Sequence, residues 1–149
     1  MNVFDAWNTQ KKRTDETETI LGFKERELWF IRMGKNVGFE QDGKGDEFLR
    51  PVLIFKKFNT RVFWGIPLTG TNKQGIFYYR LENIGERRNT AILSQIRLFD
   101  VKRLTYKIGT CTAPDFEGLK RSLQELVESA GKPRNAKPPH EAGEARRRL

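Results

Sequence analysis

Arg50-Pro51-Val52-Leu53-Ile54-Phe55, then Asn59-Thr60, then Val62-Phe63-Trp64-Gly65-Ile66-Pro67-Leu68-Thr69: this stretch decides the fold. Two runs rich in branched and aromatic side chains flank a short polar turn, the pattern of adjacent strands joined by a hairpin. Pro51 stands at the opening of its run, where a strand tolerates the loss of one ladder donor. Each run also carries a phosphate-competent side chain at one end, Arg50 before the first and Thr69 after the second.

Outward from this stretch the same pattern recurs. Glu27-Leu28-Trp29-Phe30-Ile31-Arg32 reads as a strand ending at Met33-Gly34, and Ile76-Phe77-Tyr78-Tyr79-Arg80-Leu81 reads as another. Ala91-Ile92-Leu93 and Arg103-Leu104-Thr105-Tyr106-Lys107-Ile108 complete the set. Trp29, Trp64, Tyr78 and Tyr79 are expected as core residues. One helix follows: Thr112 precedes Asp115 by three, a capping-box-like start with Pro114 in the first turn. Phe116, Leu119, Leu123, Leu126 and Val127 then share a face, and Gly131-Lys132-Pro133 ends the helix. Short strands, tight turns and a single late helix predict a mainly β fold, a small SH3-like antiparallel barrel with a C-terminal helix.

Two segments of different composition flank the domain expected over residues 23–130. Residues 1–22 form a polar arm, partly helical, in which Phe4 and Trp7 share a helical spacing suited to docking. Residues 131–149 form a basic tail without an apolar face, expected to be disordered.

The whole chain has 149 residues, enough for one domain and one core. Lys plus Arg number 28 against 19 for Asp plus Glu, a net charge of +9 that favours RNA, DNA or acidic protein segments as partners. Cys111 is the only cysteine, which excludes an intrachain disulfide framework and points to a reducing cytosol. No apolar stretch approaches membrane-spanning length, so no membrane partner is expected. His140 is the only histidine, and one His far from one Cys builds no structural zinc site. The loop Glu40-Gln41-Asp42-Gly43-Lys44-Gly45-Asp46-Glu47 lacks the spacing and terminal Glu of an EF-hand. Its lysine is not followed by Ser or Thr, so it is no Walker loop either. No metal and no cofactor are expected, and the loop reads as facing a substrate or partner.

The polar residues at the strand ends admit two readings each. Arg50 precedes proline, which extends its backbone, and its guanidinium offers paired planar donors to phosphate. It equally suits an ion pair with Asp46 or Glu47. Thr69 offers a hydroxyl to a phosphate, or closes a strand by propensity alone. Ser94, Gln95 and Arg97 sit where a strand stops; alternation places Gln95 and Arg97 on one side, as a groove lining or as ordinary edge polarity.

Their order along the chain adds what the single residues lack. Gly38-Phe39-Glu40-Gln41, Arg50-Pro51-Val52-Leu53-Ile54, Ile66-Pro67-Leu68-Thr69 and Ser94-Gln95-Ile96-Arg97-Leu98-Phe99-Asp100 closely resemble the signature of PemK/MazF toxins, endoribonucleases of type II toxin–antitoxin systems. The resemblance runs from about Glu27 to about Glu128. It implies catalytic roles for Arg50 and Thr69, a substrate-side loop at Glu40 and Gln41, and a groove lined by Ser94, Gln95 and Arg97. Two positions depart from the family pattern: the loop between Gln41 and Arg50 is long, and Ser94 stands where Asp is usual.

The resemblance further implies metal-independent cleavage of single-stranded RNA by 2′-hydroxyl attack, in a cytoplasmic homodimer inhibited by a cognate antitoxin. The same small barrel also serves non-catalytic CcdB-like toxins and plain RNA-binding proteins, since a fold does not fix a function. Retention of both Arg50 and Thr69 favours the nuclease.

Overall fold

The computed structural model describes residues 2–18 and 20–129; the basic segment 131–149 lies outside them. The described residues divide into two compact units, one within Met1–Pro67 and Gln95–Thr110, the other within Leu68–Ser94 and Cys111–Leu149.

In the first unit, β1 (Glu27–Arg32), β2 (Leu49–Lys57), β3 (Val62–Thr69, of which Val62–Pro67 belong here), β6 (Arg97–Asp100) and β7 (Leu104–Thr110) form one antiparallel sheet. β2 lies between β1 and β3, β7 pairs with the other side of β1, and β6 pairs with β3. The turn from β2 to β3 is set by Asn59, whose side-chain oxygen accepts from the amides of Arg61 (2.7 Å) and Val62 (3.0 Å). Alternation then builds the core. Trp29, Ile31, Val52, Ile54, Phe63 and Phe99 are buried together with Phe23, Met33, Val101 and Leu104. Arg50 shares the parity of Val52 and Ile54, so it stands at the end of the row that enters this core.

Trp64, expected in the core, faces outward and is 43% exposed. Its neighbours Phe63 and Gly65 are buried, and the two-residue period of a strand sends the residue between them to the opposite face. Its ring meets that of Phe58 edge-on at 5.1 Å. Ser94 and Gln95 do not continue a strand: Leu93–Gln95 is a single 3-10 turn, so strand alternation does not govern it, and β6 begins only at Arg97.

The polar arm carries a helix, α1 (Val3–Asp15), capped by Asn2, whose side chain accepts from the Asp5 amide at 3.0 Å. Trp7 is buried while Phe4 is half-exposed beneath the Lys35 ammonium, 5.9 Å from its ring. Of the two aromatic residues expected to dock the arm, Trp7 alone is buried.

In the second unit, β4 (Tyr78–Ile84) pairs with β5 (Arg87–Ile92), and β5 pairs with the last two residues of β3 through Leu68↔Ala91 and Thr69↔Thr90. The helix α2 (Ala113–Ser129) packs on β4. Thr112 caps it by accepting from the Asp115 amide at 3.2 Å, but the Asp115 carboxylate accepts from the Glu82 amide on β4 at 2.7 Å. The buried face of α2 is rotated from the one read in the sequence. Asp115, Phe116, Gly118, Leu119 and Ser122 are buried, whereas Val127 is 69% exposed. Gly118 sets this rotation, because a β-carbon there would stand 2.0 Å from the Tyr79 hydroxyl.

Candidate active site

The chain between β1 and β2 is organised around one carboxylate that sequence reading passed over. Asp42 pairs with Lys35 at 2.9 Å, and its other oxygen accepts from the Asn36 amide. The Asp42 carbonyl accepts from Nε of Arg50. Asn36 also reaches the Gln41 carbonyl at 2.7 Å, and Glu40 closes its own turn, its carboxylate accepting from the Val37 amide at 3.0 Å. A loop held by this many side-chain bonds has a defined course without regular secondary structure. The only sequence signal for Asp42 was its place before a glycine in an acidic loop.

Gln95 grips the same loop from the end of the 3-10 turn. Its carbonyl oxygen accepts from the Gln41 amide at 3.4 Å and its amide nitrogen donates to the Phe39 carbonyl at 3.3 Å. The structure thus brings Glu40, Gln41, Gln95 and Arg50 into one hydrogen-bonded assembly in the first unit, with Phe39 at its tip 97% exposed. Arg97 belongs to the same unit but is engaged elsewhere, its guanidinium carbon 4.7 Å above the Phe99 ring.

Glu47 pairs with Arg32 at 3.2 Å, and the guanidinium of Arg50 is oriented by a backbone carbonyl. Burial lowers its pKa from the ordinary arginine value, and the nearby Asp42 opposes that shift. An arginine remains protonated under such a shift, so the site holds a partly desolvated cation in a fixed plane. A cation of this kind suits the stabilisation of a developing phosphate charge.

Thr69 and Ser94 lie in the second unit. Thr69, half-buried, accepts from the Thr71 amide at 3.2 Å and keeps its own proton to donate. Ser94 is exposed. Among the described residues no three His, Cys, Asp or Glu side chains gather as metal donors, and no helix is long and apolar enough to cross a membrane.

With the fold and site in view, the sequence matches the family described as PemK-like, MazF-like toxin of type II toxin–antitoxin system over residues 24–127. This match spans more than half of the chain, and the protein belongs to that family. No curated relative matches it. Among solved structures, MazF (Form-I) from Deinococcus radiodurans is similar at 16% identity and a TM-score of 0.60, covering 72% of this chain and 98% of its own. An endoribonuclease from Mycobacterial species is similar at 11% identity and a TM-score of 0.56, covering 74% and 96%. An endoribonuclease in complex with its cognate antitoxin, also from Mycobacterial species, is similar at 12% identity and a TM-score of 0.55, covering 78% and 100%. The mainly β antiparallel fold with a C-terminal helix, expected from the sequence, is the fold of these structures.

Proposed function

We propose that this toxin is a metal-independent endoribonuclease acting on single-stranded RNA, with Arg50 and Thr69 as its catalytic residues. The observation that carries the reading is the guanidinium of Arg50, half-buried and oriented by the Asp42 carbonyl at the opening of β2. In the reaction the RNA 2′-oxygen bonds to the adjacent phosphorus and the bond to the 5′-oxygen breaks. The 2′-hydroxyl gives up its proton, the leaving oxygen gains one, and the products carry a cyclic phosphate and a 5′-hydroxyl. Arg50 offsets the charge on the crowded phosphorane, and the hydroxyl of Thr69 orients the phosphate. Glu40, Gln41, Ser94, Gln95 and Arg97 form the substrate side, with Gln95 shaping the loop through its two backbone contacts.

A cytoplasmic homodimer and a cognate antitoxin complete the proposal. The +9 chain suits an acidic antitoxin segment, and similar structures include a MazE–MazF complex and an endoribonuclease bound to its antitoxin. Exposed Phe58, Trp64 and Leu98, with Trp64 and Leu98 directly paired across β3 and β6, support a protein partner on this sheet. The same surface favours the second reading, a toxin that acts by protein contact without cutting RNA.

Purified protein incubated with mixed single-stranded RNA in excess chelator separates the two. Cyclic phosphate and 5′-hydroxyl ends, lost in Arg50→Ala, support the nuclease. Intact RNA under all conditions supports action by contact, and magnesium-dependent 5′-phosphate ends overturn the mechanism.

A further inference from the structure

Helix α1 lies wholly before residue 24, where the family match begins. It is polar along most of its length, and a helix of 13 residues is marginal in isolation, so tertiary contacts must hold it. Its main anchor is Trp7, which is absent from the principal core cluster and lies instead at the neck of the 34–48 loop. The indole packs on Gly34 so closely that a β-carbon there would stand 2.2 Å from its ring, and it meets the Phe48 ring at 5.3 Å. Gly34 and Phe48 are the two sides of the neck, since the amides of Met33 (2.9 Å) and Gly34 (3.2 Å) both donate to the Phe48 carbonyl.

From this neck the contacts lead straight to Arg50. The Gly34 carbonyl accepts from the Gly43 amide at 2.7 Å, and the residue before Gly43 is Asp42, whose carbonyl accepts from Arg50 Nε. Arg103 also lies beside the indole. Its guanidinium carbon lies 5.7 Å from the ring, and it donates to the carbonyls of Arg32 (2.8 Å) and Met33 (3.4 Å), the residues leading into the neck. Lys102, beside it, donates to the Asp15 carbonyl at 2.9 Å and fastens the far end of α1.

We infer that Trp7 is a positioning residue for Arg50: α1 clamps the loop neck, and the clamp fixes the carbonyl that orients the guanidinium. The role rests on the reading of Arg50 as a residue of RNA cleavage. A helix outside the stretch that matches the family would then be part of the working site, and its removal would leave the fold but slacken the site.

The test uses the full chain with Trp7→Ala and Trp7→Phe. The phenyl ring retains a face for Phe48 but is smaller than the indole, whose Nε1, Cε2 and Cζ2 occupy the place of a Gly34 β-carbon. Amide exchange is measured without RNA, and single-turnover cleavage of a single-stranded RNA is measured in chelator. In Trp7→Ala, exchange at Gly43 should quicken about tenfold while Leu53 and Ile54 stay protected. The cleavage rate at saturating RNA should fall by about the same factor, since the contact serves the transition state. Trp7→Phe should fold as wild type and lie between the two in both readouts.

Folded Trp7→Ala with a protected Gly43 and the wild-type rate overturns the clamp and leaves the nuclease reading standing. Exchange that quickens evenly across the β1–β2 core, with cleavage lost only in proportion to unfolded protein, also overturns it, since that is a stability role alone. Wild-type protein that cuts no RNA overturns the nuclease reading, and with it any part for Trp7 in cleavage.

Discussion

The 34–48 loop of the first unit and the β3–β5 ladder of the second hold their residues by opposite means. Around the loop, Arg50, Gln41 and Phe39 are held by bonds between side chains and backbone groups: Arg50 Nε donates to the Asp42 carbonyl, Asn36 donates to the Gln41 carbonyl, and Gln95 bonds the Gln41 amide and the Phe39 carbonyl. In the second unit, Thr69 is fixed by the sheet ladder itself, opposite Thr90 on β5. A backbone ladder survives most single substitutions, whereas a loop built on side-chain bonds loses its geometry one residue at a time. The region that holds the cation is therefore the more easily disturbed by mutation.

Removing the functional groups themselves is the strongest challenge to this contrast. Arg50→Ala and Thr69→Ala should each lower RNA cleavage by about 10²–10³, with the fold retained. Arg50→Lys should stay badly impaired, because an ammonium cannot reproduce the planar paired donors. Cleavage assays on folded protein decide this, and wild-type rates for both alanine variants would sink the site assignment.

Next in size is the start of β1, where a side chain again does the holding. Glu27 is desolvated by burial, which raises its pKa, but bonds from Trp29 Nε1 (3.0 Å), the Lys24 amide (2.8 Å) and Lys107 (3.0 Å) outweigh that and leave it lowered. A lowered folded pKa contributes stability that is complete above the ordinary glutamate range and is lost as pH falls through the folded value. Glu27→Gln should cost about 1–3 kcal/mol at neutral pH and less in acid, read from urea midpoints at both pH values. A cost that does not shrink in acid would remove the charged state from the explanation.

Gln95→Ala separates the loop from the ladder more gently. Its two bonds are long, so their loss should weaken binding of single-stranded RNA by about fivefold, measured by titration of Arg50→Ala protein to prevent cleavage. Ser94→Ala, one residue away and exposed, should change it by less. The smallest effect is expected at Thr90, whose buried hydroxyl has no partner among the described residues. Thr90→Val should raise stability by up to about 1 kcal/mol in thermal melts. A loss instead would mean that this hydroxyl supports Thr69, and that the second unit also relies on side chains.

The strands around Trp29, Val52 and Phe63 were legible because each is a short run of branched and aromatic residues bounded by turn signals. The 3-10 turn at Leu93–Gln95 was not, since three residues with an i→i+3 closure leave no periodic trace, and the turn hid the start of β6. The helix was legible as a helix but not in its rotation, because Gly118 and Ser122 face inward where hydrophobicity alone would place Val127. The order of short motifs singled out Arg50, Gln41 and Gln95, which one hydrogen-bonded assembly joins. What it left out was Asp42 and Trp7, whose importance lies in the backbone groups and the glycine they meet, and backbone groups are the same at every position.

The close seat of Trp7 on Gly34 also binds two distant positions in heredity. The backbone of Gly34 is left-handed, φ +91°, a conformation that glycine adopts freely and that asparagine and aspartate also reach. Those substitutes need a β-carbon, and the indole already fills its place. Any chain that keeps a tryptophan-bearing helix here is expected to keep glycine at position 34. Chains without the helix are free of that requirement, so the two positions are expected to change as a pair.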